Sequence, residues 1–242
     1  MKQIILSIFA FALFISVSAQ SAKTDTVAIM ILDQMSSIIG DLTSTSFKVE
    51  TRSDVIDRNA GLTTQFNESE VFFDGPDRML VNSNGNKGHR GLWYNGEHLV
   101  YYSYDENNYA IIETPPTSIE TIDSIYEYYG IEFPAADFFY PTFTEDLLAH
   151  NNEIIFDGLK TIGGQECFHI IARGSKATIQ LFITNASLYL PYKMIIINHD
   201  KDNHLQYEAT FSKWQINPIL PGAMFEFLPP PGAHEVAILP RK

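Results

Sequence analysis

Cysteine is almost absent from this sequence: Cys167 is the only one in 242 residues, so no disulfide can form within the chain. Cys167 lies in an apolar run, where a free thiol is typically a small buried hydrophobic group rather than a nucleophile. The Gly-x-Ser-x-Gly elbow, the glycine-rich phosphate loop and the His-Glu-x-x-His zinc motif are missing as well. These absences predict a non-enzymatic protein with no catalytic residue, cofactor or metal, stabilised by its apolar core.

Basic residues are also scarce, since 16 Lys and Arg stand against 29 Asp and Glu, for a formal net charge of −13. A chain this acidic repels the phosphate backbone of nucleic acids and the surface of anionic membranes. Nucleic acid is therefore not an expected partner.

The sequence has no long hydrophobic run and no internal linker. Its longest apolar run, residues 4–17, is shorter than the roughly 20 residues of a membrane-spanning helix. The run follows Lys2 and ends in small residues up to Ala19, a pattern typical of a secretory signal peptide. We expect cleavage of residues 1–19, no transmembrane segment afterwards, and one domain over residues 20–242. Since no cysteine is placed for lipid attachment, the domain is expected in the periplasm or outside the cell.

Alternating and β-branched runs dominate the rest of the chain. From Ser44 onward, Phe47 and Val49 fall on one face of a predicted strand, and Asn95-Gly96 predicts a tight hairpin turn. The glycine- and asparagine-rich stretch 82–91 is interpreted as a connection. Further strands are predicted at 65–73, 78–82, 92–94, 98–102, 109–113, 154–162, 165–172, 177–184, 190–198 and 205–216, the last four as an antiparallel meander. Strands 98–102 and 194–197 are apolar on both faces, so both of their sides should be covered.

Helical patterns are fewer. Residues 26–42 carry a one-sided apolar stripe, and a capping box at Thr117-Ser118-Ile119-Glu120 begins a helix that ends at Gly130. A short helix is expected around residues 144–150, after the aromatic, proline-bounded segment 131–141. Helical material is thus inserted in the middle of the strand order.

Several motifs in this order resemble a family of predicted periplasmic proteins of unknown function that is grouped with the LolA/LolB-like lipoprotein-carrier fold. The motifs are Trp93-Tyr94-Asn95-Gly96, Asn108-Tyr109-Ala110, Pro115-Pro116-Thr117-Ser118-Ile119, Tyr129-Gly130-Ile131, Pro134-Ala135-Ala136-Asp137, Gly164-Gln165-Glu166-Cys167-Phe168-His169 and Phe225-Glu226-Phe227-Leu228-Pro229-Pro230. The resemblance implies an α+β, mainly β fold. Its strongly curved antiparallel sheet would form a half-open barrel, with helices packed in the concave side and an apolar cavity between them.

The same resemblance implies an exported binding protein that holds a hydrophobic ligand, a lipid or a lipoprotein acyl chain, in the hollow of the sheet. Transfer of each CH₂ group out of water contributes about 0.8 kcal/mol, so binding needs no catalytic group. The helix at 26–42 or the segment 134–141 would act as a lid. The candidate ligand-binding residues are Phe47, Val49, Trp93, Leu99 and Tyr101.

Two alternatives from other classes remain open. In the first, the hollow is packed solid, and the acidic surface or the segment Pro229-Pro230-Pro231 docks a protein partner in the cell envelope. In the second, Cys167 and His169, which share a strand face, form a hydrolase or metal site. Two ligands are too few for zinc, so that site would need a further ligand from His199, Asp200 or His204.

Overall fold

The computed structural model describes residues 23–133, 136–199 and 204–241. The predicted signal peptide and residues 200–203, which include the candidate ligand Asp200, lie outside the described residues. The first two residues of the predicted lid segment, Pro134 and Ala135, lie outside them as well.

The described residues form one open, curved sheet of thirteen strands with helices on its concave side. In chain order the strands are β1 (Lys23–Thr24), β2 (Ser44–Asp57), β3 (Gly61–Asp74), β4 (Arg78–Gly85), β5 (Gly88–Tyr94), β6 (His98–Ser103), β7 (Asn108–Glu113), β8 (Glu153–Ile162), β9 (Gln165–Arg173), β10 (Ala177–Thr184), β11 (Pro191–Asn198), β12 (Gln206–Ile216) and β13 (His234–Glu235). From one edge of the sheet to the other, their spatial order is β1-β8-β9-β10-β11-β12-β2-β3-β4-β5-β6-β7-β13. Strands β2 to β12 pair antiparallel, whereas the two-residue edge strands β1 and β13 join in parallel. The predicted half-open antiparallel architecture is confirmed.

The described residues contain three helices, α1 (Thr26–Gly40), α2 (Ser118–Tyr129) and α3 (Phe143–His150), together with 3₁₀ turns at Ala136–Phe139 and Gly222–Phe225. The side chain of Asp25 accepts the Val27 N–H at the start of α1. At α2 the Thr117 half of the predicted capping box forms, since Thr117 Oγ1 accepts the Glu120 N–H; the Glu120 carboxylate accepts from the Thr117 hydroxyl. Gly130 ends α2 with φ 64°, the left-handed conformation that favours glycine.

The meander β9 to β12 forms as predicted, and Tyr94 pairs with Leu99 across the Asn95-Gly96 turn. The interpretation of residues 82–91 as a connection is wrong, because β4 and β5 continue through them to a turn between Gly85 and Gly88. A Cβ atom at Gly85 would lie 2.3 Å from the Phe66 carbonyl oxygen, so this glycine permits a close approach of β4 to β3. Glycines that look like a loop in sequence therefore belong to strands.

The C-terminal segment, residues 217–241, crosses the convex side of the sheet near β4 to β7, passes the β7 edge and ends beside α2, where the Arg241 N–H donates to the Tyr128 carbonyl oxygen. Phe225 is buried, and the Phe227 ring lies 5.1 Å from Trp93 and 5.4 Å from Tyr102, measured between centroids. Helix α2 and this segment thus lie on opposite sides of the β5 and β6 region. The prediction that strand 98–102 is covered on both faces is confirmed, and the C-terminal segment supplies the outer cover.

Candidate functional site

The hollow of the sheet is lined by rows of side chains that the strand register places side by side on the concave face. Two neighbouring rows are almost wholly apolar. The first consists of Phe47, Val71, Val81, Leu92, Tyr101 and Ala110, and the second of Thr45, Phe73, Met79, Tyr94, Leu99 and Ile112. Residues directly opposite across antiparallel strands point to the same face, so each row is a continuous surface. An apolar surface of this width has to be covered.

The helices supply that cover and fill the hollow in this structure. Ala28, Leu32 and Met35 of α1 are fully buried in the same core as the sheet residues. From the 3₁₀ turn Ala136–Phe139, the Phe139 ring stacks on Phe47 at 6.0 Å between centroids. We call residues 136–150, which comprise this turn and α3, the inner segment. Side chains of the inner segment and of α1 therefore occupy the space between helices and sheet.

The five candidate ligand-binding residues fall on two different faces. Phe47, Val49 and Leu99 are buried in the core on the concave face, and Tyr101 is partly buried against it. Trp93 lies on the convex face, because its neighbours Leu92 and Tyr94 point inward. The hollow thus brings together four of the five, and Trp93 is outside it. Their roles in ligand binding stay predictions.

A third row on the concave face is polar. It continues the register with Ser69, Ser83, Arg90 and Ser103, next to the first apolar row. No periodicity of apolar residues marks these positions, so sequence reasoning missed them. The signal that could have found them is the parity of the strands, because Arg90 is two residues before the inward-facing Leu92.

Two depressions in the described part of the chain open on the convex side. The larger has a volume of about 740 Å³ and is bordered by charged and amide side chains of β2 to β5, including Lys48, Glu68 and Asn84. Lys48 is paired there with Glu68 at 2.8 Å and with Glu70 at 3.0 Å. The smaller, of about 230 Å³, lies between Trp93 and the C-terminal segment.

Cys167 and His169 share the outer face of β9 as predicted, but each has its own surroundings. Cys167 is fully buried, and burial raises the pKa of its thiol to about 11, with a smaller contribution from the Glu166 carboxylate. His169 Nδ1 lies 3.0 Å from an Asp157 carboxylate oxygen and Nε2 lies 3.1 Å from Gln180 Oε1. A protonated thiol and a histidine with two polar partners are typical of a structural role.

The other proposed metal ligands lie away from this pair. His199 Nε2 is 2.9 Å from Thr178 Oγ1, whereas Cys167 pairs with Thr184 at the opposite end of β10. Six residues of strand separate these ends by about 20 Å. His204 contacts the Asn198 carbonyl oxygen at the far end of β11. Across residues 23–133, 136–199 and 204–241, no three His, Cys, Asp or Glu side chains gather at a possible metal position.

The environment of Cys167 predicts an unreactive thiol. At about pH 7.5 an exposed cysteine reacts readily with a disulfide reagent such as DTNB, because a sizeable fraction is thiolate. We expect Cys167 in the folded protein to react at least about 100-fold more slowly than in urea, since both its raised pKa and its burial oppose attack. Stopped-flow measurement of the released chromophore tests this. Equal rates in the folded and unfolded protein would contradict the structural assignment.

The geometry places the protein among open, curved antiparallel sheets with an apolar concave face covered by helices. The chain belongs to the family described as "Predicted periplasmic protein (DUF2092)", whose model matches residues 28–239. The family predicted from the sequence motifs is thereby confirmed. Among the described residues, no helix is both long and apolar enough to cross a lipid bilayer.

Several crystal structures are similar in architecture at low sequence identity. An uncharacterised conserved protein from Thermus thermophilus is 13% identical, with 87% of this chain and 98% of that chain covered and a TM-score of 0.49. The lipoprotein LppX from Mycobacterium tuberculosis is 14% identical, with coverages of 81% and 98% and a TM-score of 0.49. A LolA superfamily protein from Nitrosomonas europaea is 11% identical, with coverages of 83% and 97% and a TM-score of 0.37. No curated protein matches the sequence.

Proposed function

We propose that this protein is a non-enzymatic binding protein of the cell envelope that holds a lipid or a lipoprotein acyl chain in the hollow of its sheet. The observation that carries the proposal is the way in which the inner segment covers the apolar rows. Its described side-chain hydrogen bonds go to the other helices or stay within the segment, as between Ser36 and Thr144 and between Tyr140 and Asp123. The segment is held on the sheet by apolar contacts.

Apolar contacts of this kind can be exchanged for contacts with an acyl chain. Burial of a large apolar side chain contributes about 1.5–3 kcal/mol, so moving Phe138, Phe139 and Phe143 out of the hollow costs roughly 5–9 kcal/mol. An acyl chain that buries about ten CH₂ groups contributes roughly 8 kcal/mol at about 0.8 kcal/mol each. The two quantities are comparable, and we therefore infer that ligand uptake displaces the inner segment. The flexible side chains of Met35 and Met79 allow the remaining core to adapt.

Native mass spectrometry of the protein purified from its own host without detergent tests the proposal. We expect a fraction of molecules to carry an extra mass of lipid size, which organic extraction releases. A Phe66→Ala variant provides the control, because Phe66 is 57% exposed on the convex side and its loss should leave the bound mass unchanged. Protein that is always free of added mass, even after incubation with lipid vesicles, would contradict the proposal.

The packed interior favours a second candidate function, a protein-protein interaction module. In this alternative the core stays closed and an outer surface binds a protein of the cell envelope. The free end of the β2–β3 hairpin supports it, since Ile56 and Leu62 face each other there and are 58% and 60% exposed. The same purification separates the two candidates: a protein that co-purifies at fixed stoichiometry, with no lipid bound, would favour the module.

A further inference from the structure

Arg90 on β5 differs from the other described arginines because its side chain is partly buried and has no partner. Its Nε atom is buried without a hydrogen bond, and no described residue forms an ion pair with its guanidinium. By contrast, Arg78 pairs with Asp74 and Arg173 with Glu153, each at 2.6 Å. Arg90 is thus a partly buried charged residue whose Nε–H group can still donate a hydrogen bond.

The position of Arg90 follows from the strand register. It lies opposite Ser83 of β4 and Ser103 of β6, and Ser83 lies opposite Ser69 of β3. Since Ser69 is opposite the core residue Val49, the whole row points into the concave side. Arg90 therefore stands on the surface that the apolar rows line, one step beyond Leu92 along the same strand.

The serine hydroxyls beside Arg90 can donate hydrogen bonds, whereas Asn67 Oδ1, at the end of the row, is a buried acceptor without a partner. Asn67 Nδ2 donates to Ser69 Oγ at 2.8 Å, and the hydroxyl oxygens of Ser69 and Ser83 are 2.7 Å apart. If Ser69 donates to Ser83, the proton of the Ser83 hydroxyl is free for a further acceptor. A guanidinium beside a free hydroxyl proton is a set of donors that suits an oxyanion.

The Nε–H group of Arg90 is buried without a hydrogen bond, which is costly because the protein does not replace the hydrogen bond that water would make to it. Native structures rarely leave such a group unsatisfied unless a ligand, an ion or water completes it. An anion at this position would remove the cost by accepting from Arg90 and Ser83. The apolar rows beside it would accommodate a chain attached to that anion.

We propose that Arg90, with Ser83, binds the anionic head group of an amphiphile whose chain lies along the apolar rows of the hollow. This inference rests on the proposed function and specifies its ligand: a single-chain carboxylate or a phosphate-bearing lipid, rather than a neutral lipid. The head group lies at the polar row and the chain runs across Leu92 and Tyr101 toward Leu99. Pairing of the anionic head group with Arg90 sets the orientation of the bound ligand.

Three ligands with the same chain and different head groups test the proposal: dodecanoate, dodecyl phosphate and dodecanol. Binding is measured by displacement of a fluorescent fatty-acid analogue from the full protein and from the variants Arg90→Gln and Arg52→Gln. Arg52 is the matched control because it is exposed and faces outward: it is three residues from the inward-facing Val49 on β2, and residues an odd number apart lie on opposite faces of a strand. We expect Arg90→Gln to weaken the two anionic ligands about 10- to 100-fold and to leave dodecanol unchanged. Arg52→Gln should change none of them.

The outcomes separate the head-group site from the binding function. If dodecanol binds and Arg90→Gln weakens neither anion, the head-group site is wrong and the apolar hollow stands. If Arg90→Gln weakens all three ligands equally, Arg90 is structural and the head-group site is likewise wrong. If none of the three ligands binds, the proposed function fails and the head-group site fails with it. A preference of the wild-type protein for dodecanoate over dodecyl phosphate, or the reverse, identifies the type of head group.

The melting temperature measured without ligand tests whether Arg90 has a structural role, because loss of a structural residue would lower it. Because Arg90 is unpaired in the described structure, its replacement by the neutral glutamine should leave the melting temperature equal or higher. Inorganic phosphate is the remaining probe. If it raises the melting temperature of the wild-type protein and not of Arg90→Gln, while the amphiphiles do not bind, the site takes a free anion and the amphiphile proposal is overturned.

Discussion

Replacing Phe211 by alanine is expected to lower the free energy of unfolding by about 3–5 kcal/mol, the usual cost of removing a buried phenylalanine. Phe211 on β12 is 1% exposed, and its ring meets the Phe138 ring edge to face at 5.4 Å between centroids. The rings of Phe47 and Trp214 lie at 6.1 Å and 6.2 Å. The substitution therefore leaves a cavity where the sheet, the inner segment and the aromatic cluster meet.

Urea unfolding followed by circular dichroism measures this effect, with Phe66→Ala as the matched control. The control makes the same chemical change at a residue that is 57% exposed, so its effect should stay within about 0.5 kcal/mol. If Phe211→Ala cost less than about 1 kcal/mol, the inner segment would not be packed on β12 as the structure shows. Phe211→Leu should lie between the two, because leucine refills part of the cavity.

Local chemistry explains why much of the fold follows from sequence. Asn95-Gly96 specifies a tight turn because Gly96 adopts a φ of 92°, and the strands on either side then pair in one register. The N-cap contacts between Thr117 and Glu120 and the glycine at 130 similarly define both ends of α2 with contacts between close neighbours in sequence. Features held by neighbouring residues are visible in the sequence.

The features that sequence reasoning missed depend on contacts between distant residues. The turn between Gly85 and Gly88 lies within a hairpin whose strands carry polar side chains on both faces, so no alternation reveals it. Trp93 is covered by Phe227, which is more than a hundred residues away in sequence. Burial on the convex side thus comes from a segment whose path no local pattern specifies.

The polar row shows the same limit at the candidate site. Arg90 follows a glycine-rich stretch and precedes Gly91, so no alternation of apolar residues marks its face, and only its spacing of two from Leu92 indicates the concave side. Its face is defined by the pairing with Ser83 and Ser103 on two other strands. The apolar part of the site could be predicted from period-two alternation, whereas the polar row is recognised only when the register of four strands brings Ser69, Ser83, Arg90 and Ser103 side by side.

A disulfide between α1 and α3 is expected to abolish ligand uptake if the inner segment must move to admit a chain. Ser36 Oγ and Thr144 Oγ1 are 3.2 Å apart, so the double variant Ser36→Cys/Thr144→Cys places two sulfur atoms within bonding reach. We expect the oxidised variant to bind dodecanoate at least about tenfold more weakly than the wild-type protein, since the cross-link holds the covering helices together. Reduction with dithiothreitol should restore binding.

The design of this experiment benefits from the native thiol, because Cys167 is buried with a raised pKa and should not compete in disulfide exchange. The two single variants, Ser36→Cys and Thr144→Cys, control for loss of the hydroxyl contact and should bind as the wild-type protein does. An oxidised double variant with unchanged affinity and uptake rate would show that the ligand enters without separating α1 from the inner segment. The route of uptake would then have to be sought elsewhere in the helix layer, because the concave face that the chain must reach remains covered by α1 and α3 in the cross-linked protein.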